Sequence, residues 1–357
     1  MNLAARFLEH GNYVFAEPLS GRTLAEVIPA AVHPDRVEAY FEELGFEGLA
    51  VQSVGYEEGR SDGEPPRVHV YVTKGSRKAE REVQAPGGAV KVEIDRVGRV
   101  LVRPEMASGV SNRGNVFTHK NRLACGSSCA PSSERYAGTL GALVRKRSGA
   151  AMYVLSNNHV LAACNHVPVG MPILSPASMD ARPGIRAPGE ICRHSEICEL
   201  RSGVPALVNP LREDVALAEV TDQKLLTSWQ GGSDGFDTPG TAALPRSGLK
   251  VKKVGRTTGL TTGTVESLLN TPFAIPYKSR FFTATVWFQD VWTVKAEGGS
   301  AFALPRDSGS LVVDDTGGTA IGLIFAASPQ GDYGFIIPMT RIAGLFGGLT
   351  LVARHGT

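Results

Sequence analysis

Three polar residues of this chain lie at the edges of apolar runs and carry side chains that can cooperate in nucleophilic chemistry. His159 closes "YVLSNNH", Asp214 opens "DVALAEV", and Ser308 lies in "RDSG" directly before "SLVVDD". A serine hydroxyl is a weak nucleophile until a base takes its proton, and a neutral histidine held by a buried carboxylate is the usual base. These residue types therefore predict a Ser-His-Asp site for acyl transfer.

Each of the three residues also has an ordinary structural explanation. A histidine beside an apolar run is usually a structural residue, an aspartate ahead of a strand is commonly a cap, and Asp-Ser-Gly is a frequent turn. The order favours chemistry, because Asp214 follows His159 by 55 residues and Ser308 follows Asp214 by 94, each at the edge of an apolar run. His166 in "CNHVPVG" is a rival base that lacks this context.

The segments around these residues have the pattern of a β protein. From residue 137 onward, short apolar runs alternate with turn residues: "GTLGALV", "MYVLSNNHVLA", "EDVALAEV", "KKVGRTTGLTTGTV", "FTATVWFQ", "GSLVVDD", "TAIGLIFAA" and "YGFIIPM". The 41 glycines and 22 prolines supply turn residues along the chain. Such a succession of short strands predicts a β-sandwich or a β-barrel.

The N-terminal part of the chain has a different pattern. Residues 35–44, "DRVEAYFEEL", place apolar residues at helical spacing, with Asp35 as the cap and Gly45 as the stop. "VHVYV" and "VKVEI" alternate as strands do. We therefore predict a small α+β domain at residues 1–105, a polar, glycine-rich linker at 106–136, and the main β domain at 137–357.

Composition argues against several classes of partner. The net charge is +2, from 37 basic and 35 acidic residues without a long run of like charge, so neither nucleic acid nor a membrane surface is indicated. The first 18 residues lack the uninterrupted apolar core of a signal peptide, since Glu9, His10 and Gly11 break it. We expect a cytoplasmic protein without a transmembrane helix.

The five cysteines bear on both redox compartment and metal binding. An odd number of cysteines in a chain without a recognisable secretion signal predicts reduced thiols. "CGSSC" and "CRHSEIC" could supply four sulfur ligands to zinc if their loops met, and these are Cys125, Cys129, Cys192 and Cys198. Neither spacing is that of a zinc knuckle, so we expect free thiols and neither a metal nor another cofactor.

The three motifs resemble those of trypsin-like, chymotrypsin-fold serine proteases. "VLSNNHV" looks like the histidine motif, "DVALAEV" resembles the Asp-Ile-Ala-Leu motif, and "RDSGSLVVDDTGGTAIGLIF" resembles the nucleophile loop with its following strands. "KVGRTTGLTTGTV" is similar to a segment of the intracellular bacterial and plant branch. The resemblance covers roughly residues 137–345 and implies a mainly β fold. In that fold, two six-stranded barrels carry His159 and Asp214 on the first and Ser308 on the second.

Two features of the nucleophile loop depart from the family. The residue two before the serine is normally a glycine whose backbone N–H forms the oxyanion hole with that of the serine, and here it is Arg306. Its N–H survives the substitution if the backbone reaches the same dihedral angles, and the guanidinium is expected to narrow the substrate range. In secreted relatives a freed N-terminal amine pairs with the aspartate before the serine, so Asp307 needs a different cation, or a partner that orders the loop.

The same resemblance suggests the substrate pocket. Phe302, six residues before Ser308, aligns with the base of the pocket, and Phe325, Ala326 and Ala327 align with one wall. Specificity for lysine or arginine would need a carboxylate at that base. We therefore expect an apolar residue on the acyl side of the cleaved bond.

The expected function is that of a serine endopeptidase acting on specific protein targets. Some bacterial relatives stand beside defence systems and activate a partner by limited proteolysis, which extends this expectation to such a role. The N-terminal domain would serve a regulatory partner or homo-oligomerisation. Two alternatives stay open: a protease-fold scaffold in which Arg306 has impaired the oxyanion hole, and an esterase-like hydrolase, against which the missing Gly-x-Ser-x-Gly elbow argues.

Overall fold

The computed structural model describes residues 51–57, 64–73, 78–85, 88–100, 102, 114–203, 209–269, 272–280 and 282–357. The helix predicted at residues 35–44 lies outside them. No helix in the described part of the chain has both the length and the apolar character needed to cross a membrane.

Four strands precede the main β domain: β1 (Val51–Glu57), β2 (Arg67–Val72), β3 (Lys78–Ala85) and β4 (Gly88–Arg96). Strand β2 pairs antiparallel with β1 and parallel with β4, and β4 pairs antiparallel with β3. The segments "VHVYV" and "VKVEI", which are predicted as strands from their alternation, lie in β2 and β4. Val68 and Val70 occupy one face of β2 and His69 and Tyr71 the other, and all four are buried, so the polar face is covered as well.

The first barrel consists of two sheets around one apolar core. Its strands are β5 (Thr118–His119), β6 (Arg122–Cys125), β7 (Ser128–Pro131), β8 (Gly138–Thr139), β9 (Ala142–Lys146), β10 (Met152–Ser156), β11 (Pro172–Ser175), β12 (Gly189–Ile197), β13 (Ala216–Val220), β14 (Leu226–Gln230) and β15 (Phe236–Asp237). A short helix, α1 (Asn158–Leu161), follows β10, and 3₁₀ turns lie at Ser178–Asp180 and Gln223–Leu225.

The second barrel is a closed ring of six strands. Its segment contains β16 (Lys250–Gly255), β17 (Gly259–Leu269), β18 (Phe273–Lys278), β19 (Thr283–Phe288), β20 (Val291–Ala296), β21 (Leu311–Asp314), β22 (Ala320–Ala327) and β23 (Tyr333–Pro338), followed by α2 (Met339–Ile342) and β24 (Leu349–Leu351). The ring runs β16-β21-β22-β23-β20-β17 and closes through the pairing of β16 with β17. Strands β18 and β19 form a separate hairpin, and β24 returns to the first barrel beside β9.

A shared apolar core joins the two barrels. Strand β10 is buried on both faces: Met152 and Val154 point into the core of the first barrel, whereas Tyr153 and Leu155 point into a second cluster. That second cluster includes Leu311 and other residues of the second barrel. Because burying one such side chain contributes about 1.5–3 kcal/mol, this cluster keeps the barrels docked. The predicted double β-barrel is confirmed.

The N-terminal strands are continuous with the second barrel. Strand β1 pairs with β17, with Gly55 opposite Leu269 and Tyr56 opposite Leu268, so the sheet extends from the barrel through β1 to β2, β4 and β3. At Gly55 the Ser267 side chain of β17 lies so close that a Cβ would collide with its hydroxyl. The predicted division into separate domains remains a prediction.

Residues 118–131, inside the predicted linker, form strands β5, β6 and β7 of the first barrel. Strand β6 pairs with β14, and β7 pairs with β8 and β11. All four residues of β7, "SCAP", are buried although none of them is large. Small side chains give little hydropathy contrast, which is why the sequence pattern resembles that of a linker.

Candidate active site

The histidine predicted as the base lies where β10 gives way to α1. The apolar strand ends at Ser156, and His159, which is 3% exposed, is carried by the first turn of α1. Asn158 satisfies buried backbone groups beside it, since its Nδ2 donates to the Cys198 carbonyl at 2.8 Å and its Oδ1 accepts from the Asn165 N–H at 2.9 Å. Asn158 therefore satisfies backbone groups that the end of the strand would otherwise leave without partners.

Asp214 is fully buried directly before β13 and faces this histidine. His159 Nδ1 lies 2.5 Å from Asp214 Oδ2, and the His159 backbone N–H donates to Oδ1 at 3.2 Å. Asn157 Nδ2 donates to the Asp214 carbonyl at 2.6 Å and so holds the backbone as well. A carboxylate at Nδ1 keeps the ring proton there and leaves the Nε2 lone pair available as a base.

Tyr277 on β18 is a third partner of this carboxylate, and the sequence analysis missed it. Its hydroxyl donates to Asp214 Oδ2 at 2.8 Å, and its ring packs edge-on against the His159 ring with centroids 5.7 Å apart. Burial and the nearby Asp214 carboxylate raise the pKa of Tyr277 well above its ordinary value, so the hydroxyl stays protonated. The only sequence signal is that a tyrosine in an apolar strand needs a hydrogen-bond partner.

The loop that carries Ser308 comes from the second barrel and is held by the first. The backbone N–H of Thr139 donates to the Ser308 carbonyl at 2.9 Å, and the Thr139 hydroxyl donates to the Arg306 carbonyl at 3.0 Å. Gly309 has φ +96°, and a Cβ there would collide with the Ser156 hydroxyl and the Thr139 carbonyl. The contact between β8 and the loop therefore requires glycine after the serine.

Arg306 adopts the backbone conformation that a glycine would adopt easily. Its φ is +78°, in the left-handed region, and its peptide N–H and that of Ser308 make no hydrogen bond within the described part of the chain. Two such N–H groups can serve as an oxyanion hole. The guanidinium is half-buried and forms no ion pair with a described carboxylate; burial, with a smaller effect from Arg256, lowers its pKa.

Asp307 is paired with a buried cation, Lys253 of β16, and this resolves one alternative left open by the sequence. The Lys253 Nζ lies 3.2 Å from Asp307 Oδ2, and both side chains are fully buried. The Asp307 carboxylate also accepts the backbone N–H groups of Thr257 at 2.7 Å and Leu304 at 3.0 Å, and the Thr258 hydroxyl at 2.8 Å. The loop is thus ordered by side chains of "KVGRTTG".

A second buried ion pair joins the same turn to the first barrel. The Arg256 Nε donates to Asp180 Oδ2 at 2.9 Å, and its Nη2 contacts the other carboxylate oxygen. Burial alone would raise the pKa of Asp180, but hydrogen bonds from Arg256 and Ser128 outweigh it and lower the pKa. The Arg256 backbone N–H also donates to the Thr139 hydroxyl at 3.1 Å, next to the nucleophile loop.

His159 and Ser308 line the same narrow cavity, of about 30 Å³. The Ser308 hydroxyl donates to the Phe325 carbonyl at 3.3 Å instead of to His159. The other lining residues are largely apolar: Val102, Tyr136, Ala137, Val160, Leu304, Pro305, Arg306, Ile324, Ala326 and Ala327. Base and nucleophile therefore share one cleft, with the serine turned toward β22.

Of the predicted pocket residues, the structure brings two to this cavity. Ala326 and Ala327 line it beside Ser308. Phe302 is fully buried in the core of the second barrel, and the Phe325 ring packs on that of Phe288 with centroids 4.9 Å apart. Neither phenylalanine lines the cavity, because in each case the large ring fills a core position.

His166 and three of the five cysteines lie apart from this site. His166 is exposed, and its Nδ1 contacts the Cys164 carbonyl at 2.7 Å. Cys125, Cys129 and Cys192 are free thiols packed in the core of the first barrel, and burial raises the pKa of each. Among the described residues, no three thiols approach one another closely enough to hold a metal ion.

Comparisons with known proteins give fold neighbours. No family profile matches the chain, and no curated protein matches it by sequence. Similar solved structures include Protease A from Thermobifida fusca, with 19% identity over 64% of this chain and 99% of that chain, at a TM-score of 0.42. Nocardiopsis protease has 17% identity over 64% of this chain and 97% of that chain, at a TM-score of 0.42. A chymotrypsin from Cellulomonas bogoriensis has 17% identity with the same coverage of both chains, at a TM-score of 0.40.

Replacing Lys253 by methionine should destabilise the protein and disorder the nucleophile loop. The substitution leaves Asp307 buried without its cation, which typically costs about 3–5 kcal/mol. Lys252→Met is the matched control, because Lys252 is a partly exposed neighbour whose Nζ lies over the Phe236 ring. Chemical unfolding measures the effect; equal unfolding free energies for the two variants would contradict the assigned role of Lys253.

The Asp180–Arg256 pair should give the protein an acid-sensitive component of stability. Because the folded pKa of Asp180 is lowered, its contribution is fully present above about pH 4 and is lost as the pH falls through the folded value. The stability advantage of wild type over Asp180→Asn should therefore shrink below about pH 4. Unfolding free energies measured from pH 7 to pH 2 test this, with the exposed Asp222→Asn as control; a constant difference would refute it.

Proposed function

We propose that this protein is a serine endopeptidase in which Ser308, His159 and Asp214 form the catalytic set. The observation that carries the proposal is the arrangement around the cavity. His159 is fixed by a buried carboxylate at Nδ1 and lines the same cleft as Ser308. The N–H groups of Arg306 and Ser308, which no described residue engages, supply the anion-binding element that acyl transfer needs.

The proposed reaction follows from these positions. The Ser308 Oγ attacks a peptide carbonyl carbon while His159 Nε2 takes its proton, and the N–H groups of Arg306 and Ser308 hold the resulting oxyanion. Collapse breaks the C–N bond, and the imidazolium returns the proton to the leaving amine. Water then attacks the acyl-enzyme with His159 again as base, which releases the acid and restores the serine. Asp214 stabilises the imidazolium throughout.

One observation favours a second candidate, a binding protein with a protease fold. In the structure the Ser308 hydroxyl donates to the Phe325 carbonyl, and the cavity holds little space. For catalysis the hydroxyl must rotate toward His159. Catalytic hydrogen bonds are often long in structures without substrate and tighten when it binds, which is why we favour the enzyme.

The substrate class proposed is a protein segment with a small or medium apolar residue on the acyl side of the cleaved bond. The described cavity lining offers alanine, valine, leucine and isoleucine side chains and no carboxylate. A lysine or arginine side chain would enter such a pocket without a counter-charge, at a cost in desolvation. We further propose that the chain acts in the cytoplasm, on one or a few target proteins that limited proteolysis would activate.

Covalent labelling with a fluorophosphonate probe tests the proposed chemistry. Wild type should gain one adduct by intact mass, and Ser308→Ala and His159→Ala should abolish it, since loss of either group typically lowers turnover by about 10⁶. The controls are Ser148→Ala, an exposed serine, and His166→Ala, the rival base, and both should label normally. Absence of labelling in folded wild type would favour the binding protein.

A peptide library tests both the pocket and the role of Arg306. Wild type should cleave after aliphatic residues, and Arg306→Gly should accept a wider range because it removes a side chain that lines the cavity. The control is Arg354→Gly, since Arg354 also has a positive φ, of +56°, but lies outside the cavity lining. Both substitutions place glycine at a position with positive φ, so each should remove about 1 kcal/mol of backbone strain. Cleavage after lysine or arginine, or an unchanged range for Arg306→Gly, would refute these expectations.

A further inference from the structure

A buried polar cluster lies on the sheet formed by the N-terminal strands, and the proposed catalysis does not use it. His69 on β2 pairs in register with Glu93 on β4, and Asp95 follows Glu93 by two residues on the same face. All three side chains are buried, with exposures of 1% for His69, 9% for Glu93 and 5% for Asp95. Burying two carboxylates beside an imidazole is costly unless their charge is compensated.

The hydrogen bonding of His69 determines which ring nitrogen faces the carboxylates. His69 Nε2 lies 2.9 Å from Glu57 Oε2, and only a ring N–H can donate to a carboxylate oxygen. In the neutral ring, Nδ1 therefore presents a lone pair. That atom lies 3.7 Å from Asp95 Oδ2 and 3.9 Å from Glu93 Oε2, beyond hydrogen-bond range.

Among the described residues the Tyr333 hydroxyl, near Asp95, has no hydrogen-bond partner, and the same holds for two atoms at the centre of the cluster: His69 Nδ1 and Asp95 Oδ2. Both belong to side chains that are more than nine-tenths buried, and they face each other. Lone pairs directed at one another across such a gap repel unless a cation lies between them. The histidine nitrogen and the two carboxylates offer donor atoms within 4.8 Å of one another.

We propose that His69, Glu93 and Asp95 bind a divalent transition-metal cation through Nδ1, Oε2 and Oδ2. Donor atoms that surround a metal tetrahedrally at about 2.1 Å lie about 3.4 Å apart, which is close to the distances from His69 Nδ1. One nitrogen and two carboxylates form a ligand set that suits Zn²⁺ or Mn²⁺. This site is independent of the proposed peptidase function.

The neighbouring groups are arranged as supports of such a site. Glu57 orients His69 through its other nitrogen, the usual partner of a metal-binding imidazole. Lys295 Nζ pairs with the outer oxygens, 3.6 Å from Asp95 Oδ1 and 2.9 Å from Glu266 Oε1. The inner oxygen Asp95 Oδ2 remains directed at His69.

Glu266 connects the site to the second barrel. It lies on β17, its Oε2 is 3.8 Å from His69 Nδ1, and it accepts the Tyr71 hydroxyl at 2.8 Å. A bound cation would attract the Glu266 carboxylate as well as its three ligands. Metal binding would therefore strengthen the attachment of β2 and β4 to the barrel.

The competing explanation is a protonated His69 without metal. Burial by itself would lower the pKa of His69, but the carboxylates of Asp95, Glu57 and Glu266 raise it to about 9. An imidazolium could thus exist at neutral pH. Its Nδ1–H would nevertheless face Asp95 Oδ2 at 3.7 Å, which is long for a hydrogen bond and unfavourable in a buried site.

Metal titration of the full chain distinguishes the two explanations. The protein is stripped with a chelator, and Zn²⁺, Mn²⁺ or Co²⁺ is then added while calorimetry follows binding and thermal unfolding follows stability. We expect one equivalent to bind and the unfolding temperature to rise by several degrees. The Co²⁺ absorption spectrum should lack a thiolate charge-transfer band, which separates this site from one formed by cysteines.

Variants locate the bound metal. His69→Gln and Asp95→Asn should abolish binding, and Glu57→Gln, which removes the charge of the group that orients the imidazole and leaves the three ligands in place, should weaken it about 10- to 100-fold. Glu64→Gln is the matched control, because Glu64 is a nearby carboxylate outside the donor set. A stripped, folded wild type that binds none of the three metals would overturn the proposal, even if a variant failed to fold. Binding that is unchanged in folded His69→Gln and Asp95→Asn would overturn it as well.

Discussion

A buried ion pair between Lys253 and Asp307 is the interaction on which the geometry of the cleft depends. Both side chains are inaccessible to solvent, and the carboxylate is further satisfied by backbone N–H groups and a threonine hydroxyl. Leaving either charge unpaired would be costly, so the turn after β16 and the nucleophile loop must adopt one arrangement together. The Lys253 side chain, and not a freed N-terminal amine, thus fixes the positions of Ser308 and the strained Arg306.

The docking of the barrels is the second constraint. His159 and Asp214 come from the first barrel, and Ser308 comes from the second. Thr139 connects them, because its backbone and hydroxyl hold the carbonyl groups of the nucleophile loop. Tyr277 makes the converse contact, because its hydroxyl, carried by the segment of the second barrel, donates to the Asp214 carboxylate of the first barrel. Each barrel therefore fixes a functional group that the other one carries.

Sequence alone predicted the parts of this arrangement that leave a local pattern. Short apolar runs bounded by turn residues gave about half of the strands, and of the three predicted catalytic residues the structure places His159 and Ser308 at one cleft. The pairing of Lys253 with Asp307 spans 54 residues and that of Tyr277 with Asp214 spans 63, and neither leaves a periodic signal. Motif alignment placed Phe302 at the base of the pocket, whereas its ring is fully buried in the core of the second barrel.

Hydrogen-bond satisfaction distinguishes two kinds of buried charge in this protein. Asp307 has several donors directed at its carboxylate and needs no further ligand. In the N-terminal cluster, by contrast, the hydrogen bond of His69 is made by its outer nitrogen, Nε2, to Glu57. The two central atoms, His69 Nδ1 and Asp95 Oδ2, have no hydrogen-bond partner among the described residues. The same desolvation cost applies to both places, but in the second the Lys295 ion pairs reach only the outer carboxylate oxygens. The paired Asp307 carboxylate shows what a buried charge requires in this fold, and at His69 Nδ1 and Asp95 Oδ2 we propose that a cation meets the same requirement.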